Sequence, residues 1–322
     1  MIYFKLPFND TLYSTDEKND QNPIQFYSFD GIEEVCFHGN IIEISSEDFN
    51  DKKISSDLLS KDMALPEAET KEEYLQQLEK VIRVIQENHL PKLVYARRKI
   101  FTDFTTLDLK ASFNNLCQSY GNAFRYIFID GDHSWMGAFS EVLGKFNKKT
   151  HEFETMSLAG TLPVLEEWSE KEIEEQKPVS TYIRSIVKNY SDYIEESETY
   201  DHISGNIKHL RTDFKIKINP EDLGNIINDL HPTPAVCGIP KDFCKENIQK
   251  FEKFARELYS GYIRIENEET IQYFVNLRCS KLYQNAVHSF VGGGITAQSL
   301  PEKEWRETEL KSEAVLKNLE FI

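Results

Sequence analysis

The sequence contains no Cys-x-x-Cys pair, and its five cysteines, Cys36, Cys117, Cys237, Cys244 and Cys279, are scattered and odd in number. Neither a zinc-binding framework nor a disulfide scaffold is indicated, and the thiols read as those of a reduced protein. Also missing is an unbroken apolar run near the ~20 residues that a membrane span requires. The opening MIYFKLPFNDTLYSTDEKND has no basic stretch followed by an apolar one, so no secretory signal is read and the cytoplasm is the expected location. Positive charge is scarce: 37 Lys and Arg stand against 54 Asp and Glu, a net charge of −17. Such a surface repels a phosphate backbone, which excludes nucleic acid as an expected partner. An anionic small molecule would have to be held by a few local cations or by a bound metal. There is no internal repeat, no low-complexity segment and no regular strand–helix–strand rhythm. What remains is a chain of 322 residues, 40% hydrophobic, able to bury a sizeable core and mixed α+β in class.

Short strands are predicted at 24–27, 34–38 and 41–44. Thr70 and Glu73 form a capping-box pattern ahead of Leu75, Leu78, Val81, Ile82 and Ile85, which predicts a helix over 70–90 stopped by Pro91. Strands are predicted at 93–96, 124–129 and 138–143, the last two separated by the turn Asp130-Gly131-Asp132. A polar stretch over 166–177 leads into a predicted helix at 179–190. Ile248, Phe251, Ala255 and Leu258 predict an amphipathic helix over 245–259, with Gly261 as its stop. Alternation over 271–277 predicts a strand ending at Arg278, and a charged helix is predicted over 301–319.

The C-terminal third carries the chemistry-bearing patterns. Glu304, Glu307 and Lys311 share one face of the last predicted helix. Gly292-Gly293-Gly294 lets backbone N–H groups approach an anion closely, or else marks a surface loop. In Leu230-His231-Pro232-Thr233-Pro234-Ala235-Val236 two prolines flank Thr233 and stiffen a turn that can hold His231 in one orientation.

From Lys92 onward, these and other segments in order resemble the chorismate-binding enzymes, the family of isochorismate, salicylate, anthranilate and aminodeoxychorismate synthases. The matching segments are Lys92-Leu-Val-Tyr-Ala-Arg97, Gly137-Ala-Phe-Ser-Glu141, Leu158-Ala-Gly-Thr161, the HPTPAV stretch with Gly238-Ile-Pro240, Tyr259-Ser-Gly261, Val275-Asn-Leu-Arg278, Gly292-Gly-Gly-Ile295, and Glu304-Trp-Arg-Glu-Thr308 with Lys311. The resemblance implies an anthranilate synthase component I-like fold: two antiparallel sheets packed together with helices outside, one domain overall. Residues 92–322 would be the catalytic region and residues 1–91 a short, weakly matched N-terminal part. A monomer is implied.

The resemblance also implies roles. Glu175 and Glu307 look like ligands of one Mg²⁺, with Glu304 near it, which suits an ion that takes one or two protein carboxylates. Arg278 and Lys311 match positions that contact substrate carboxylates, and Gly160, Thr161, His231, Gly293 and Gly294 belong to the substrate-binding set. Lys92 resembles the base that activates water for attack at C2 of chorismate, where amine-using members carry glutamine. Burial and nearby cations help a lysine to shed its proton for that purpose. Glu141 matches the acid that protonates the departing C4 hydroxyl, for which it must stay protonated near neutral pH. Ala159 stands where aminodeoxychorismate synthases carry lysine. Isochorismate is therefore the expected product, destined for menaquinone or a siderophore. A salicylate synthase is the alternative, and an anthranilate synthase or a non-catalytic binder is a more distant one. Three departures stand out. Gln176 replaces the usual histidine after Glu175, which leaves Glu174 as an alternative ligand; Phe139-Ser140 replaces Ser-Pro before Glu141; and Gly293 replaces an alanine.

Overall fold

Alternation of β-branched and aromatic residues with polar ones produces half-buried strands: in Ile24–Tyr27, Ile24 and Phe26 point inward while Gln25 and Tyr27 are half-buried. The computed structural model, which describes residues 1–64, 68–131, 133–204 and 207–322, joins such strands into two large antiparallel sheets. The first runs, in spatial order, Gly238–Ile239, Lys92–Phe101, Val287–Ile295, Cys279–Leu282, His133–Phe139, Phe124–Asp130, Ile2–Lys5, Leu12–Thr15 and Ile41–Ile44. The second runs Glu195–Glu196, Ile207–Lys217, Glu152–Pro163, Val142–Asn147, Thr270–Val275, Tyr262–Glu266, Ile24–Tyr27 and Glu34–Phe37, with Tyr200–Ser204 also paired to Ile207–Lys217. Strands that precede Lys92 thus complete both sheets.

An aromatic core draws on both sheets. Phe26 of the second meets Phe128 of the first at 4.8 Å, and Phe124 of the first stacks on Phe274 of the second at 5.1 Å. Each such ring contributes roughly 1.5–3 kcal/mol on burial. Helices cover the outer faces. Lys71–Glu87 keeps its expected capping box and lays Tyr74, Leu78, Val81 and Ile85 against Leu93, Tyr95 and Ile295.

Four expectations change. The helix expected at 179–190 spans Glu170–Val187. It starts on a second capping box, Ser169 with Glu172, and buries Gln176 by hydrogen bonds from its amide to Ser157, Ser180 and Thr212, so apolar periodicity alone misses its first half. The helix expected at 245–259 is Lys241–Phe251. It ends where Glu252 turns in to accept the Ala96 N–H and to pair with Arg256. Gly261 is therefore no helix stop; a Cβ there would lie 1.9 Å from the Tyr27 carbonyl oxygen. The glycine run is the interior of a strand, paired with Val94–Ala96, and not a loop. The last helix is Pro301–Leu316.

The fourth change matters most for the site. The strand expected at 138–143 is two strands, His133–Phe139 and Val142–Asn147, and the chain changes sheets at Ser140–Glu141. It changes back between Thr270–Val275 and Cys279–Leu282, where Arg278 takes a left-handed φ of 47°. The two crossings run side by side, tied by Val275 N–H to Glu141 O at 3.0 Å and Ala138 N–H to Arg278 O at 3.2 Å. Buried Asn276 anchors them, donating to Leu258 O and accepting from the Tyr126 hydroxyl. Asp132 of the expected turn lies outside the described residues.

Candidate active site

The crossings release Glu141 and Arg278 from the ladders, and both line a cavity of about 860 Å³, counting the solvent at its mouth. Lys92, Gly160, Thr161, Glu175, Gly293, Gly294, Glu307 and Lys311 line it too. Lys92 opens the strand Lys92–Phe101, and alternation sends Arg97 to the opposite face. There Arg97 donates to Thr308 Oγ1, pairs with Glu309 and lies 3.8 Å from the Trp305 ring, which clamps the helix bearing Glu307 and Lys311 onto the sheet.

Lys92 Nζ donates to Glu175 Oε1 at 2.7 Å, both side chains being largely buried. A Cβ on Gly294 would sit 2.2 Å from Lys92 Cε, so the absence of a side chain there is what admits the lysine. Glu174 points away to an exposed pair with Lys177, which puts Glu175 and not Glu174 at the cavity. Lys311 pairs with Glu307 at 2.7 Å and donates to the Gly292 carbonyl at 2.9 Å. Burial pulls the Lys311 ammonium down, but Glu307 outweighs it and the group stays raised above its ordinary value.

Burial pushes the Glu141 carboxyl up to about 7, against the Lys92 charge and the Thr233 hydroxyl, which favour its ionised form. Arg278 donates to His209 Nε2 at 3.0 Å, so the other ring nitrogen carries the proton and donates to Gly160 O at 2.9 Å. Burial, then the Arg278 charge, hold the His209 imidazole well below 6.5 and therefore neutral. Gly160 itself has φ 74°, a conformation glycine adopts without strain.

Two expected site residues stand elsewhere. His231 is not on the cavity wall; its Nε2 bonds the Ser260 carbonyl at 3.0 Å and its ring packs between Phe29 and Tyr262. The same turn reaches the site instead through Thr233 and Val236. Glu304 is buried behind the wall, with Oε2 within 3.4 Å of where a Cβ on Gly293 would be, and Glu307 Oε1 lies 3.9 Å from that point. Sequence reasoning missed His209 and Tyr259 as lining residues. The signal available for His209 was the alternation along Ile207–Lys217, which puts it on the face of Arg211.

The carboxylates of Glu175, Glu304 and Glu307 converge on the Gly293–Gly294 edge, a set of hard oxygen donors that suits Mg²⁺. Among the described residues no three acidic, His or Cys side chains already form a cation cage. Lys92 and Lys311 hold two of the three carboxylates in ion pairs.

Residues 38–320 match the family profile described as chorismate binding enzyme. The chain belongs to the chorismate-binding enzyme family. Among its relatives, isochorismate synthase MenF of Escherichia coli (strain K12) is 26% identical over 255 residues, 74% of this chain and 58% of that one. Isochorismate synthase EntC of the same strain is 32% identical over 151 residues, 46% of this chain and 39% of that one. The chain thus matches about three-fifths and two-fifths of the length of these two relatives. The solved menaquinone-specific isochorismate synthase MenF from Escherichia coli shares the fold, with a TM-score of 0.79 at 18% identity over 98% of this chain and 88% of that one. Among the described residues no helix is long and apolar enough to cross a membrane.

Proposed function

We propose that this chain converts chorismate to isochorismate, with Mg²⁺ as its cation. The observation that carries the reading is a buried lysine and a buried glutamate facing one cavity, the glutamate held up to about 7 by burial. A carboxyl still protonated near neutrality can donate, and a lysine that has shed its proton can accept; the reaction needs one of each. Lys92 takes a proton from water as the water oxygen bonds to C2 of the ring. The ring double bonds shift, the C4–oxygen bond breaks, and Glu141 gives its proton to that hydroxyl, which leaves as water. One water enters and one departs, and the lysine gains the proton that the glutamate loses, so exchange with solvent resets the pair.

Arg278 offers a planar fork and Lys311 a point charge for the substrate's carboxylates. His209 and the Gly160 carbonyl hold that fork in place. Glu175, Glu304 and Glu307 would hold Mg²⁺. The bound ion would offset the substrate's negative charge in a chain whose net charge is −17. The names of the relatives support the same product.

The test is incubation with chorismate and Mg²⁺, with and without EDTA, followed by chromatographic separation. Isochorismate formed only with metal is the expected result. Salicylate with pyruvate would move the chain to the lyase branch, and unaltered chorismate would overturn the catalytic reading.

A further inference from the structure

The proline-flanked turn has the stiffness to mount His231, yet the side chain it delivers to the proton donor is a threonine. Thr233 is 2% exposed and Glu141 5%. The Thr233 hydroxyl donates to Glu141 Oε1 across 3.4 Å, and among the described residues no other side chain bonds that carboxyl. The separation is longer than the ~2.7–2.8 Å of a relaxed O–H···O bond, as catalytic contacts commonly are before substrate arrives. Both backbones are pinned. The Thr233 carbonyl accepts from Val236 N–H at 3.0 Å and from Cys237 N–H at 2.9 Å, while the Glu141 carbonyl accepts from Val275 N–H at 3.0 Å. Fixed backbones leave the carboxyl its own χ rotations, and the hydroxyl is placed to select among them.

We propose that Thr233 is a positioning residue for the proton donor, its hydroxyl fixing the orientation from which Glu141 delivers its proton. This rests on the reaction proposed above. The charged and titratable groups that share the cavity with Glu141 are Lys92, Glu175, His209, Tyr259, Arg278, Glu307 and Lys311. None of them supplies this bond. A hydroxyl donor favours the ionised carboxylate, so its loss makes the carboxyl a weaker acid.

The test compares Thr233→Val, which keeps shape and removes the donor, with Thr233→Ser, which keeps the donor. In the valine variant kcat/KM falls about tenfold, the worth of one hydrogen bond to a charged group. The alkaline limb of its pH profile also moves up by about one pH unit, the same free energy as that tenfold. The serine variant restores both. A merely structural residue would lower the melting temperature and the amplitude without moving the limb. Thr233→Cys, of similar volume and with a weak donor, serves if the valine variant does not fold. Titration of the Glu141 carboxyl by infrared difference against Glu141→Gln needs no turnover. A protein inactive on chorismate would thus sink the reaction while leaving this inference measurable. An unmoved infrared titration and limb, or a serine variant as impaired as the valine one, would overturn it.

Discussion

Two buried ion pairs, Glu252–Arg256 and Lys92–Glu175, look alike in distance, 2.6 and 2.7 Å, and differ in everything around them. Glu252 also accepts the Ala96 N–H, and Arg256 donates to the carbonyls of Val94 and Val236, so that pair is woven into the backbone. Lys92 and Glu175 instead face a cavity shared with Glu141, Arg278 and Lys311. A pair enclosed by its own backbone partners holds the fold. A pair that turns toward open space is available for exchange with a substrate or cation. Burial alone does not separate the two; what the remaining donors and acceptors face does.

The contrast breaks most sharply under substitution. Lys92→Met should lower kcat by roughly 10²–10⁴-fold, the range for a lost acid–base group, while unfolding free energy changes by no more than about 1 kcal/mol because Glu175 keeps access to cavity water. Glu252→Ala should do the reverse. It strands a buried guanidinium and costs about 3–5 kcal/mol by urea denaturation, with the residual folded fraction retaining its KM. Comparable stability losses in both variants would erase the distinction.

Glu141 sharpens the comparison through pH. Its carboxyl titrates near 7 when folded and near 4.5 when unfolded, so between those values the folded chain holds a proton that the unfolded chain has released. Stability from this group is greatest below 4.5, falls as pH rises, and its loss is complete above 7, reaching about 3 kcal/mol. Glu141→Gln should therefore be inactive, yet more stable than the parent at alkaline pH and little different in acid. Equal stabilities at all pH values, by thermal melts across the range, would contradict the burial argument.

A smaller effect separates two neighbouring glycines. A methyl on Gly294 would collide with Lys92 Cε at 2.2 Å, whereas one on Gly293 meets Glu304 Oε2 at an ordinary 3.4 Å. Gly294→Ala should lower kcat/KM about tenfold or more by displacing the base. Gly293→Ala should stay within about twofold of the parent.

The same residues show what was legible beforehand. Helix Lys71–Glu87 was readable because its cap and stripe are local, and the ordered motifs brought Lys92, Glu141, Arg278 and Lys311 to one place because their order follows the fold. The sheet changes at Glu141 and Arg278 were not readable. Val142 and Leu143 continue the apolar pattern of the strand before them, and only pairing with Thr270–Val275 decides which sheet they join. His209 was marked only by the alternation of its strand, which says nothing of the Arg278 folded onto it. Glu252 and Arg256 fall inside the span predicted as one helix over 245–259, and they are buried because the chain leaves the helix to pair them.

His231 is the case where pattern and geometry part, and it gives the smallest predicted effect. Its setting suggested a ligand-binding histidine, but its ring lies between Phe29 and Tyr262 and its Nε2 serves the Ser260 carbonyl, beside the buried Tyr259–Gly261 turn. Burial holds the imidazole down to about 4, so it is neutral at physiological pH and offers an anion no charge. His231→Gln keeps a donor of similar reach and should cost about 1 kcal/mol of stability, one neutral hydrogen bond with some packing, while KM for chorismate stays within about twofold. A tenfold rise in KM with unchanged stability would return His231 to the substrate site. The turn would then serve the reaction through two polar side chains, His231 beside the Thr233 contact to Glu141.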